Sequence, residues 1–145
     1  MAGEKSTAYS GQLLALYFNG TAIPNIATNT ATSPITNVYV SLHTADPTAA
    51  GNQSTSEVSY TGYARVAVAR TTAGWAVSGA SCAPVAAIVF PSPTGSAGQV
   101  ATFAAVGQAA SGATEFQYVA PISPSITITL NLPPTLTTAS AFTEA

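Results

Sequence analysis

The stretch NVYVSLH, residues 37–43, alternates strictly: Val38, Val40 and Leu42 fall on one side of an extended chain, and Tyr39, Ser41 and His43 on the other. Successive side chains of a strand point to opposite faces, so the pattern predicts a half-buried β-strand with its valines and leucine inward. The pattern returns along the chain. YARVAVAR (residues 63–70) turns Val66 and Val68 inward, and GWAVSG, PVAAIVF, QVATFAAV and TEFQYVA follow. SITITLNL (residues 125–132) ends the series with Ile126, Ile128, Leu130 and Leu132 on its inner face. Turn-forming clusters separate these runs, most clearly PSPTGSAG (91–98) and GQAASGA (107–113). About eight short strands with no crossover helix between them predict an all-β fold, a jelly-roll-like β-sandwich.

One segment departs from this period. In STAYSGQLLALYFNG (6–20), Tyr9, Leu13, Leu16 and Tyr17 stand at i, i+4, i+7 and i+8, which predicts one short N-terminal helix over residues 7–19 with those side chains on its apolar face. Ser6 or Thr7 caps its start, and Asn19-Gly20 stops it. A helix this short needs a docking surface to persist in water. Residues 21–34 carry two prolines and neither period, and read as a meandering connection. Beyond Leu132 the alternation fades, so residues 133–145 read as an extended C-terminal arm that orders against a partner. A single domain accounts for residues 1–145.

Composition narrows the function classes. The chain is 47% hydrophobic and only 6% charged, against roughly 25% charge in an average soluble domain. Its surface must be built from small neutral polar groups, with little like-charge repulsion to keep copies apart, which favours an assembly component. Three basic residues against five acidic ones cannot neutralise a phosphate backbone, so no nucleic acid partner is expected. Apolar runs such as APVAAIVF are far shorter than a span, and MAGEKSTAYS has no apolar signal region, so no membrane partner is expected either. The lone Cys82 leaves no internal disulfide to form and reads as a small buried hydrophobe.

The chain's chemistry concentrates in residues 41–65, which hold its only histidine together with Asp46, Glu57 and Arg65. A hydrolase would need an exposed nucleophile, yet Ser41 sits mid-strand and no G-x-S-x-G turn is present. His43, Asp46 and Glu57 follow no metal-ligand spacing. We expect no catalytic residue, no metal and no cofactor. Where charges are this scarce, pairing Arg65 with a carboxylate would tie the 44–60 loop to the strand that follows. Trp75 reads as a core or rim anchor, with sugar stacking as the alternative.

The string NVYVSLHTADP, then Gly51, Glu57-Val58 and YTGYARVAVAR, preceded by GQLLALYFNGTA, resembles a family of small structural proteins of tailed bacteriophages. Members are commonly labelled tail-fibre proteins, and jelly-roll proteins of similar size serve as capsid cement or decoration. The resemblance makes His43, Asp46, Pro47, Glu57, Tyr63 and Arg65 a structural motif. It implies a virion protein, assembled in the host cytoplasm and sited on the capsid surface, where it stabilises junctions between major capsid subunits. Such junctions lie on symmetry axes, so a homo-dimer or trimer is expected. The alternatives are a tail or tail-fibre module and, less favoured, a carbohydrate-binding sandwich. Expected partner contacts are Leu13, Leu16 and Tyr17 on the helix, Ile23 and Ile26 in the connection, and Leu136 and Phe142 in the arm.

Overall fold

The computed structural model describes residues 5–28, 30 and 33–144; residues 29, 31 and 32 of the 21–34 connection, with 1–4 and 145, lie outside the described residues. Among the described residues a helix, α1 (Thr7–Asn19), precedes nine strands: β1 (Asn37–His43), β2 (Val66–Ala69), β3 (Trp75–Ser78), β4 (Ser81–Pro84), β5 (Ile88–Val89), β6 (Val100–Gly107), β7 (Phe116–Thr127), β8 (Thr135–Leu136) and β9 (Phe142–Thr143). They form a four-stranded sheet in the order β2-β1-β6-β7, a three-stranded sheet β3-β4-β9, and a two-stranded sheet β5-β8. Every pairing is antiparallel. The fold is an all-β sandwich with one short helix.

Val38, Val40 and Leu42 of β1 are fully buried, and with Ala104 and Val106 of β6 they give the large sheet its inner face. Trp75, Cys82, Ile88, Leu136 and Phe142 from the smaller sheets close over it. The other face of β1 departs from the half-buried expectation: Ser41 and His43 are 0% exposed because the 44–60 loop folds back over them.

The helix ends as expected, with Ser6 Oγ accepting from the Tyr9 amide at 3.2 Å and Gly20 in the left-handed region at φ 66°. Arg70 at the end of β2 donates to the carbonyls of Leu16 and Tyr17, which the last helical turn leaves without intrahelical partners. Its buried stripe is Ser10, Leu14 and Phe18, not the predicted Tyr9, Leu13, Leu16 and Tyr17. LLALYF carries two overlapping apolar stripes, and the sandwich takes the one bearing Phe18. That ring lies 4.6 Å from Trp75, 5.3 Å from Tyr118 and 6.3 Å from Phe142, between centroids. Leu13, Leu16 and Tyr17 stay half-buried at its flank, and Tyr17 donates to Gln117 at 2.8 Å.

Three further expectations are corrected. PVAAIVF splits between β4 and β5. TEFQYVA and the start of SITITLNL join in the 12-residue β7, which runs through Pro121 and Pro124. As the outer strand of its sheet β7 leaves one row of amides unpaired, so it accommodates residues that have none. Beyond it Ile128 still points inward at 1% exposure, but Leu130 and Leu132, 51% and 59% exposed, do not. Finally, the C-terminal arm belongs to the domain: Leu136 pairs with Ile88, and Phe142 pairs with Cys82 beneath the Phe18 ring. Lys5 and Glu144 meet at 2.7 Å, joining the two ends.

Candidate functional site

After β1 the chain turns at Asp46, whose Oδ1 accepts from the Thr48 amide at 2.8 Å, an Asx turn that the buried Pro47 stiffens. It returns antiparallel to β1, with the Val58 amide donating to the Leu42 carbonyl and the Thr44 amide to the Ser56 carbonyl. This return brings Gln53, Thr55 and Glu57 over the outer face of β1 and against Arg65.

Arg65 is the hub. Its Nε and Nη2 donate to Glu57 Oε1 and Oε2, both at 2.8 Å, a bidentate pair with the Arg65 side chain only 3% exposed. Nη2 also reaches the Gly112 carbonyl at 2.8 Å, and Nη1 the Ala109 carbonyl at 3.1 Å and Gln53 Oε1 at 3.3 Å. All five guanidinium N–H groups are thereby engaged. The bond to Glu57 outweighs the cost of burial and holds Arg65 above its ordinary pKa. Tyr63 completes the ring: its hydroxyl donates to Glu57 Oε1 at 2.9 Å and accepts from the Leu42 amide at 3.1 Å. Burial first, then the Glu57 carboxylate, pushes that hydroxyl's pKa upward. One guanidinium thus joins the 44–60 loop, the start of β2 and the 107–115 turn.

Beside this ring runs a neutral chain of hydrogen bonds. His43 Nδ1 lies 2.8 Å from the Thr55 carbonyl, which only accepts, so Nδ1 carries the proton and Nε2 accepts from Ser41 Oγ at 2.9 Å. Gln53 Nε2 donates to Ser41 Oγ at 3.4 Å and to the Tyr39 carbonyl at 3.1 Å. A serine and a histidine in contact raise the question of a nucleophile, and the surroundings answer it. Both are 0% exposed, and a backbone carbonyl stands where a triad places its carboxylate. The loop carries Asp46 into its own turn, away from the imidazole. The arrangement locks a loop, with Ser41 and His43 both sealed from solvent.

Burial lowers the His43 pKa below its ordinary 6.5, with the Thr55 hydrogen bond opposing. A histidine held neutral in the folded state binds fewer protons there than in the unfolded chain, so its stabilisation is complete above pH 6.5 and is lost as pH falls through the folded value. The melting temperature of the native chain is expected to drop on acidification from pH 7 to 5, and that of His43→Gln to drop less over the same interval. Equal slopes in differential scanning calorimetry would contradict it.

Gln53 is the residue that periodicity missed. It is 0% exposed in a loop of polar residues, and no apolar spacing marks it. It lies flat on Gly107, where an added Cβ would stand 2.2 Å from its Oε1. Gly107→Ala is therefore expected to expel the amide, unpairing Tyr39, Thr114 and one arm of Arg65, at a cost of about 2–3 kcal/mol. Urea unfolding measures this directly, and a loss below about 1 kcal/mol would contradict it.

The expected partner contacts separate in the structure. Ile23, Leu136 and Phe142 are buried, at 2%, 2% and 3% exposure, and cannot face a partner while the domain is folded; Ile26 is 68% exposed. Trp75, 1% exposed under Phe18 and Phe142, offers no face for sugar stacking. Cys82 is buried, which pushes its thiol up to about 12. Among the described residues no helix is long and apolar enough to cross a membrane, and no group of three metal-ligating side chains converges.

No curated protein matches the chain in sequence. A family model described as Podophage GP4 fiber I protein gp80 matches residues 5–140. The match runs from the first turn before α1 almost to β9, so it takes in the helix, the loop clamp and both faces of the sandwich. The chain belongs to the podophage GP4 fiber I protein gp80 family and is a bacteriophage structural protein.

Proposed function

We propose that the chain is a non-catalytic structural module of a virion fibre, a rigid β-sandwich that contributes surface to an assembly. The observation that carries this reading is the family match across residues 5–140. The chemistry of the interior supports it: the one histidine and Arg65 are consumed in fixing the loop. So does the scarcity of charge, with three basic and five acidic residues in the whole chain, which opposes close packing of subunits weakly.

Capsid cement, on the outside of a mature head, is the second reading. It draws on the small single sandwich without repeats, since an extended shaft is commonly built from repeated units. Folding Leu136 and Phe142 into the core removes the arm that would have gripped a capsid junction, and this favours the fibre. In either reading the partner is virion protein, with further copies of the chain as neighbours. Immunogold labelling of intact virions separates the two. Gold on projecting fibres supports the proposal, gold spread over the head replaces it with the cement reading, and particles unlabelled by an antibody shown to bind the folded chain overturn both.

A further inference from the structure

The sandwich is not closed along the side where β2 and β5 approach each other. The Arg70 amide donates to the Thr36 carbonyl, so residues 66 and 68 are the ones bonded to β1 in this antiparallel ladder, and the N–H and C=O groups of Ala67 and Ala69 point away from it. By the same alternation, the Phe90 amide donating to the Pro134 carbonyl turns the main-chain groups of Ala87 and Val89 away from β8. The two outward rows line one cleft of about 240 Å³. Of the groups on the β2 side, the Ala69 carbonyl accepts from Thr71; the Ala67 carbonyl and the amides of Ala67 and Ala69 have no backbone partner among the described residues.

We propose that this seam is a strand-acceptor site, filled by an extended, uncharged segment of a partner protein that adds as a β-strand. Peptide groups turned outward along β2 and β5 call for a complementary backbone, and the two strands, which approach within 8 Å of each other, must part to admit one. The cleft is lined by alanine, glycine, valine and isoleucine with no charged side chain, so a charged segment would be desolvated without compensation. Small residues such as Ala67, Ala87 and Gly74 leave room for a guest's side chains. The contrast with β7 is informative. That outer edge carries Pro121 and Pro124, whereas β2 has no proline, lysine or bulge to discourage pairing. A second copy's β2 would enter with its own β1 and β5 attached, while a free segment of about five residues fits the length of the cleft. The inference stands on the edge geometry and is independent of where on the virion the chain sits.

The test uses the full chain and the peptide acetyl-TVTVTVT-amide, with amide hydrogen exchange at Ala67, Ala69, Ala87 and Val89 followed by NMR. The expected result is fast exchange at Ala67 and Ala69 in the dilute protein and roughly tenfold or greater slowing at saturating peptide. Ala67→Pro, which removes an amide facing the seam and none bonded to β1, should weaken binding roughly tenfold with little change in melting temperature. Ala87→Pro on the opposite wall provides the same reading should the first variant misfold. Slow exchange in the dilute protein without peptide would show a seam already closed, and protection that grows with protein concentration alone would assign it to a second copy. Each of these overturns the proposal, as would absence of protection by the peptide or equal binding of its alternately N-methylated form.

Discussion

Arg65→Met is expected to lower stability by about 3–5 kcal/mol, because it leaves a largely buried carboxylate behind. Glu57 would keep only the Tyr63 hydroxyl, while the carbonyls of Ala109 and Gly112 and the Gln53 amide oxygen would each lose a donor within a closed network. For a domain of this size the loss corresponds to a melting temperature lower by roughly 10 °C or more. Limited proteolysis should then cut first within residues 44–60, since, among the described residues, only the Gln53–Thr114 bonds would still hold that loop to the 107–115 turn. Arg65→Lys should recover little, because one ammonium cannot reproduce two parallel bonds to Glu57 while also reaching Gly112. An unchanged melting temperature with unchanged protease resistance in the loop would refute the clamp.

Phe18→Ala is the second large effect, at about 3–5 kcal/mol. The ring is 0% exposed and touches four others: Tyr17, Trp75, Tyr118 and Phe142. Its removal opens a cavity where α1, β3, β7 and β9 meet, and none of these elements can collapse into it without leaving its own strand pairing or helix dock. Detachment should be coupled, with near-UV dichroism from Trp75 lost and exchange protection falling together in α1 and β9. Protection retained in β9 while α1 melts would show that the two ends are held independently. Leu13→Ala, at the half-buried flank, should cost far less.

The inner surface of the large sheet was legible because it depends on a local rule. Val38, Val40 and Leu42 alternate, alternation maps directly onto a pleated strand, and all three are buried. What a strand's second face meets is a long-range question, and there the pattern misled. Ser41 and His43 look like solvent-facing residues until a loop more than ten positions away covers them. The helix shows the same limit in another form. Two apolar stripes overlap in LLALYF, and only the shape of the Trp75–Phe142 receptor decides between them. In the candidate site, the scarcity of charge was enough to suggest an Arg65–carboxylate pair. The roles of Gln53, Thr114 and Gly107 were not readable, because they arise from chain crossings between residues 53 and 114 that no local spacing encodes.

The Lys5–Glu144 contact has a mechanical side. Its two residues bracket nearly the whole domain yet lie 2.7 Å apart, so the polypeptide enters and leaves at one point. Tension applied through the ends would pull them directly apart, breaking that pair and then the short β9 pairing one bond at a time, as a zipper opens. The longer ladders that β6 makes with β1 and β7 would carry none of the force until the edge had gone. Load borne across the faces of the sandwich, with the ends as bystanders, would spare that edge.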